Sequence, residues 1–138
     1  MHEELIHLLA TATHIACGKM PGPRLADLRA SLDQACAIPA EFGWERKAAA
    51  HAEFFNALGD AAGPSLALVF GQGAGLAYDL MITASRTADG IVINSRKRML
   101  AHLRARDAEA AALEMEKHLS TLHFMGRLAI PPSQRASA

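Results

Sequence analysis

Apolar side chains recur along most of this chain at three- and four-residue spacing, the repeat that lines one stripe of an α-helix. A first helix is predicted from about Glu3 to Cys17, with Leu5, Leu8, Leu9, Ala12 and Ile15 on its buried stripe. Gly18 and the Pro21-Gly22-Pro23 turn end it. A second runs from Arg24 to about Ala37, buried through Leu25, Leu28 and Leu32, and Pro39 closes it. The third begins near Pro39 or Gly43 and continues to Ala62, where Gly63-Pro64 stops it. The fourth spans roughly Ser65 to Ser85, and the fifth runs from Asp89 or Gly90 to Arg106. Asp107 has the position of an N-cap, its carboxylate accepting from the free amides of the following turn. The sixth helix then carries Ala108, Ala111, Ala112, Met115, Leu119 and Leu122 inward. Six helices with short links predict an all-α antiparallel bundle over residues 1–128, with residues 129–138 a frayed tail around Pro131-Pro132.

One segment reads two ways. Ser65-Leu66-Ala67-Leu68-Val69-Phe70 before Gly71-Gln72-Gly73-Ala74-Gly75 has the look of a strand entering a phosphate-binding turn. That reading needs a second parallel strand, and Ile91-Val92-Ile93 is short and isolated. The third glycine of the fingerprint is also missing, since Ala77 or Tyr78 stands in its place. The preferred reading is a helix whose glycines allow close packing against a neighbour, at about 1 kcal/mol each relative to Ala.

Composition narrows the class without changing the fold. A chain of 138 residues, 51% hydrophobic and 20% charged, builds one ordinary core and is not a disordered chain. Basic and acidic residues balance at 14 each, which argues against a domain that itself grips nucleic acid. No uninterrupted apolar run approaches the roughly 18 residues that span a bilayer. The first residues lack the pattern of a signal peptide, so a cytoplasmic protein with no membrane association is expected. Cys17 and Cys36 have no metal-type spacing and read as partly buried thiols.

The chemistry is concentrated in seven histidines, His2, His7, His14, His51, His102, His118 and His123. The common zinc and hydrolase signatures are absent, and no nucleophile–base or carboxylate pair stands out, so an enzyme is not expected. His7 and His14 lie a heptad apart on a half-exposed face, and His102 sits among Arg98, Arg104 and Arg106 near a helix C-terminus. His118 shares the inward side of the last helix with Met115 and Leu122; it is either a hydrogen-bonded core residue or a ligand.

The segment Leu103-Arg104-Ala105-Arg106-Asp107-Ala108-Glu109-Ala110-Ala111, followed by Met115-Glu116-Lys117-His118-Leu119, has a charged turn with Asp and an Ala-rich helix ending in His-Leu. Upstream, Phe54-Phe55-Asn56-Ala57-Leu58-Gly59-Asp60-Ala61-Ala62-Gly63 fits a Phe-His-x-x-Leu-x-x-Ala-x-Asn pattern. In these two segments the stretch from Trp44 to Leu122 resembles the C-terminal, FCD-type ligand-binding domain of GntR-family bacterial transcription regulators, and the first two helices have suitable lengths. The resemblance implies a bundle that binds a small effector and forms a homodimer. It implies DNA binding only through a winged helix-turn-helix, which this chain does not contain.

Many members of that family hold a divalent metal with an Asp, a His four residues on, and one His on each of the last two helices. Those positions fall here on His51, Phe55, Arg96 and His118. Only His118 matches outright. His51 can still coordinate, Phe55 cannot, and a dication about 5 Å from the Arg96 guanidinium meets repulsion of several kcal/mol even at an effective dielectric of about 20. No cofactor is therefore expected, with zinc or nickel disfavoured and His51 and His118 the only weak candidate ligands. Arg96 instead has two readings: a direct anchor for the carboxylate of an anionic effector, or a solvated charge in the run Arg96-Lys97-Arg98. On the first, His51 and His118 add donors, and Phe55, Asn56 and Tyr78 line the cavity. The competing function is a stand-alone helical protein-interaction adaptor with a vestigial pocket.

Overall fold

The computed structural model describes residues 2–39, 41 and 43–129. Within them are six α-helices, α1 (His2–Lys19), α2 (Gly22–Cys36), α3 (Trp44–Ala62), α4 (Pro64–Ala84), α5 (Asp89–Arg104) and α6 (Ala108–Ala129), plus a 3-10 turn at Arg86–Ala88. The all-α bundle is as predicted, each helix within a few residues of its expected ends. The predicted tail lies outside the described residues, apart from Ala129, which closes α6.

The helix ends follow from local chemistry. Gly63, at φ +102°, terminates α3 and precedes Pro64, whose ring suits the first turn of α4. One left-handed residue thus folds α3 back on α4, and these two form the most extensive helix pair. Asp107 caps α6 as expected, accepting from the Ala110 amide at 3.1 Å. The fifth helix stops two residues before the predicted Arg106. There the Asp107 amide donates to the His102 carbonyl and the Arg106 amide to Leu103, closing the α5 C-terminus with Arg106 at φ +58°. The Arg106 guanidinium donates to the Cys17 carbonyl at 3.1 Å, tying this turn to the end of α1.

The stretch from Ser65 to Gly75 is helical throughout, so there is no strand and no phosphate turn there. A Cβ on Gly73 would come within 2.6 Å of Leu9 Cδ2 and 2.8 Å of Phe55 Cδ1, so that glycine lets α4 lie close to α1 and α3. Leu68, with 74% of its surface exposed, and Gln72 look outward from the same helix. By length and composition α4 is also long and apolar enough to cross a membrane, with 33% of the relevant window buried inside the bundle. Counting only uninterrupted apolar residues missed it, because Gln72 and several glycines break the run.

The stripe of α1 needs correction. Leu8 and Ile15 are exposed, and the packed face is Ile6, Leu9, Ala10, Ala12, Thr13, Ala16 and Cys17. Small residues on that face let α1 approach α6, its main partner. Cys36 is likewise exposed, while Cys17 is buried, and both are free thiols. The core is one continuous cluster in which Phe54, Phe55, Leu58, Phe70, Met81, Met99, Leu103, Met115 and Leu119 are fully buried. Into it α3, α5 and α6 each deliver one or two polar side chains.

Candidate functional site

On α3 the inward face at one-turn intervals is Lys47, His51 and then Phe54-Phe55. On α5 it runs Val92, Arg96, Met99 and Leu103, and on α6 Ala111, Met115, His118 and Leu122. The three helices therefore carry His51, Arg96 and His118 inside, at 1%, 1% and 2% exposure. Arg96 is not the solvated charge that its basic neighbours suggest. Helix periodicity sends it inward while Lys97 and Arg98 remain outside.

The surroundings of Arg96 are unusual for a buried cation. Its Nη2 donates to the His51 carbonyl at 3.3 Å, and its guanidinium carbon lies 4.9 Å from the Phe54 ring centroid and 5.1 Å from that of Phe55. The aromatic faces give cation–π stabilisation, so Phe54 and Phe55 both pack against the charge. No carboxylate is paired with Arg96 among the described residues. Among the described residues its Nε has no hydrogen-bond partner, nor does either ring nitrogen of His118, nor His51 Nδ1. Buried donors and acceptors left this way ordinarily cost about 1–3 kcal/mol each, and native interiors hold few of them.

His51 leads from this cluster toward the surface. Its Nε2 lies 3.1 Å from Asp89 Oδ1, whose second oxygen takes Lys47 Nζ at 3.2 Å. Asp89 opens α5 and is partly exposed, so it both meets the helix N-terminus and spaces Lys47 from His51. Trp44 stands over this edge, its ring centroid 6.4 Å from that of His51 and its Nε1 donating to the Met81 carbonyl at 2.8 Å.

The charge states follow from burial. Desolvation lowers the His51 pKa to about 4, with the Asp89 hydrogen bond opposing and Arg96 reinforcing the shift. Desolvation holds His118 well below the ordinary histidine value, and the positive charge of Arg96 adds to that. Burial also pushes the Arg96 guanidinium down to about 9, which leaves it protonated at neutral pH. Near pH 7 the cluster is one unpaired cation beside two neutral imidazoles.

A second polar contact fixes the register of α5 on α6. Buried Glu114 accepts Ser95 Oγ at 2.7 Å, Arg98 Nε at 2.8 Å and Arg98 Nη2 at 3.2 Å. Burial alone would raise its pKa, but the Arg98 and Ser95 hydrogen bonds outweigh this and hold it low. Since Ser95 precedes Arg96 and Glu114 lies one turn before His118, this clamp sets where the two site residues meet.

Of the residues expected at the site, His51, Phe55, Arg96 and His118 come together. Asn56 does not: it lies on the exposed face of α3, donating to Glu53 Oε1 at 3.2 Å. Tyr78 is half-buried on α4 against the apolar core, with no side-chain hydrogen bond to the cluster. Phe54, Lys47, Asp89, Ser95 and Glu114 were missed. The turn spacing of Lys47, His51 and Phe55 held a signal for the first of the polar ones, whereas Asp89 entered only as a possible start of the fifth helix and Glu114 carried no local signal.

The cluster does not fit a divalent metal. The permanent charge of Arg96 lies within it, Phe55 offers no ligand atom, and the Asp89 carboxylate already serves Lys47 and His51. Among the described residues no group of three or more His, Cys, Asp or Glu side chains is placed to hold a metal ion. What the cluster offers chemically is a fixed cation beside neutral imidazoles in a buried interior, a set of groups that suits an anion better than a cation. Comparison with family models, curated proteins and solved structures finds no match to this chain.

Proposed function

We propose that this chain is a small-molecule sensor that binds an anionic effector, of carboxylate class, inside the bundle. On this proposal it is the effector-sensing and dimerisation domain of a GntR-like bacterial transcription regulator, working in the cytoplasm by binding and not by catalysis. The observation that carries the reading is Arg96, a fully buried guanidinium that has no carboxylate partner among the described residues and stands beside a histidine whose two ring nitrogens have none there either. A carboxylate would meet the guanidinium through a charge-assisted pair, the strong class of hydrogen bond. Because its contacts lie on α3, α5 and α6, an anion there would pull three helices together. In a homodimer this would bias the placement of two attached DNA-binding heads, by as much as the anion's affinity differs between the two arrangements.

Thermal unfolding of the purified chain with a panel of small carboxylates, at constant ionic strength, tests the reading. A concentration-dependent rise in Tm that disappears in both Arg96→Ala and His118→Ala is expected; a rise unchanged in both variants moves the site elsewhere. Native mass spectrometry tests the dimer, and a bare monomer removes that part of the proposal.

One observation favours the adaptor as the second reading. The α1–α6 seam has two hollows of about 250 and 290 Å³ that share His7 and Glu116, and Leu8, Ile15, Leu113, Phe124 and Leu128 are exposed on the same two helices. A bundle with such a seam and no anion response would be an interaction module.

A further inference from the structure

The hydrogen-bonding inventory of the cluster narrows the anion further, resting on the reading of Arg96 as an anion receptor. Asp89 can only accept, and its carboxylate takes both His51 Nε2 and Lys47 Nζ. His51 must therefore carry its proton on Nε2, which leaves Nδ1 as a buried lone pair without a partner. His118, neutral, presents one N–H and one lone pair, both likewise unmatched. Arg96 Nε adds one unmatched N–H. Among the described residues the cluster thus lacks partners for two donors and two acceptors. A bare carboxylate answers only the donors. It leaves the lone pairs of His51 and His118 buried and places its own oxygens near them.

The charges set a second condition. Among the described residues near the cluster, Lys47 is neutralised by Asp89 and Arg98 by Glu114, while Arg96 has no carboxylate partner. One negative charge balances it. A second would be buried without a counter-charge, which low-dielectric surroundings penalise strongly.

We propose that the site selects a singly charged oxyanion that carries its own O–H or N–H beside the charged group, and rejects both donor-free monoanions and dianions. The oxyanion accepts from Arg96 and His118, while its hydrogen donates to the lone pair of His51.

Three small probes separate the terms: glycolate (one charge, one hydroxyl), acetate (one charge, no donor) and oxalate (two charges, no donor). Isothermal titration of the whole chain at pH 7 and constant ionic strength reads them directly. Glycolate is expected to bind about tenfold or more tightly than acetate, since a buried acceptor is paired in one complex and orphaned in the other. Oxalate should be the weakest. Acetate equal to or tighter than glycolate overturns the donor requirement while the anion receptor stands; oxalate tightest overturns the charge limit. If none of the three binds, and none raises Tm, the receptor reading itself falls. His51→Phe removes the lone pair and should bring glycolate down to acetate's affinity. The wild-type ranking decides the matter even if that variant does not fold.

Discussion

Arg96 and Arg98 sit two residues apart on α5, yet meet opposite fates. Arg98 stays half in water and donates twice to Glu114, a carboxylate that Ser95 also satisfies. Arg96 goes fully inside, finds two phenyl faces and one carbonyl, and no carboxylate. The first arrangement leaves nothing for a ligand and holds helices together. The second leaves donors and acceptors unmet in the buried core. Protein interiors tolerate such a cluster at functional sites, where stability is lower than the fold could reach. The two arginines of one helix therefore separate a satisfied polar group from an unsatisfied one, and on the proposed function the unsatisfied one is the binding group.

The largest effect expected from this difference is on acid stability. His51 is buried neutral, with a folded pKa near 4 against an ordinary 6.5. The unfolded chain therefore binds more protons between those values, so stability is complete above about pH 6.5 and is lost as pH falls toward 4. At 1.36 kcal/mol per unit, His51 alone removes about 3 kcal/mol by pH 4. His118, shifted in the same direction by burial and Arg96, adds to the loss. Urea midpoints across pH 4–7.5 should show this slope, and His118→Gln should flatten it. A flat profile in the wild type would mean that both histidines are solvated.

Next in size, and opposite in sign, is removal of the unpaired charge. Arg96→Met should raise stability in the absence of ligand by about 1–3 kcal/mol, because uncompensated buried ions are commonly outperformed by apolar side chains of similar volume. The same variant should lose all anion response. Glu114→Ala supplies the contrast: the clamp is satisfied, so its loss should lower stability by about 1–2 kcal/mol, discounted because Arg98 can turn to water. Chemical denaturation at pH 7 of both variants reads the comparison in one experiment. Were Arg96→Met the more destabilised of the two, the cluster would be a structural device.

How much of this was legible beforehand depends on the physics each feature uses. Helix number and ends follow from local signals, such as Pro64 at a first turn, Gly63 at a positive φ and Asp107 as a cap, and those were readable from the chain. The inward direction of His51 and His118 follows from helix periodicity and was also within reach. Which side of α1 packs was not, because Leu8 and Ile15 are large and apolar while the true contact face is built from alanines chosen for close approach. Arg96 was ambiguous for a similar reason: charge type argues for water, periodicity argues for the core, and only tertiary packing decides. Asp89 and Glu114 are set by partners 38 to 42 residues and 16 to 19 residues away, respectively, and no local pattern announces those pairings.

The smallest effect completes the contrast from the exposed side. Arg98→Lys keeps the charge opposite Glu114 and loses the forked geometry that lets one guanidinium reach both carboxylate oxygens. With more than half of the Arg98 side chain in solvent, the change should cost less than about 1 kcal/mol. Its value lies in what it does to ligand binding. If the clamp only sets the register of α5 on α6, a lysine that keeps the ion pair should leave anion affinity within about twofold of wild type. A tenfold loss of affinity with little loss of stability would show that the orientation of Arg96 depends on the guanidinium two residues away. The binding and structural ends of the α5–α6 contact would then act as one unit.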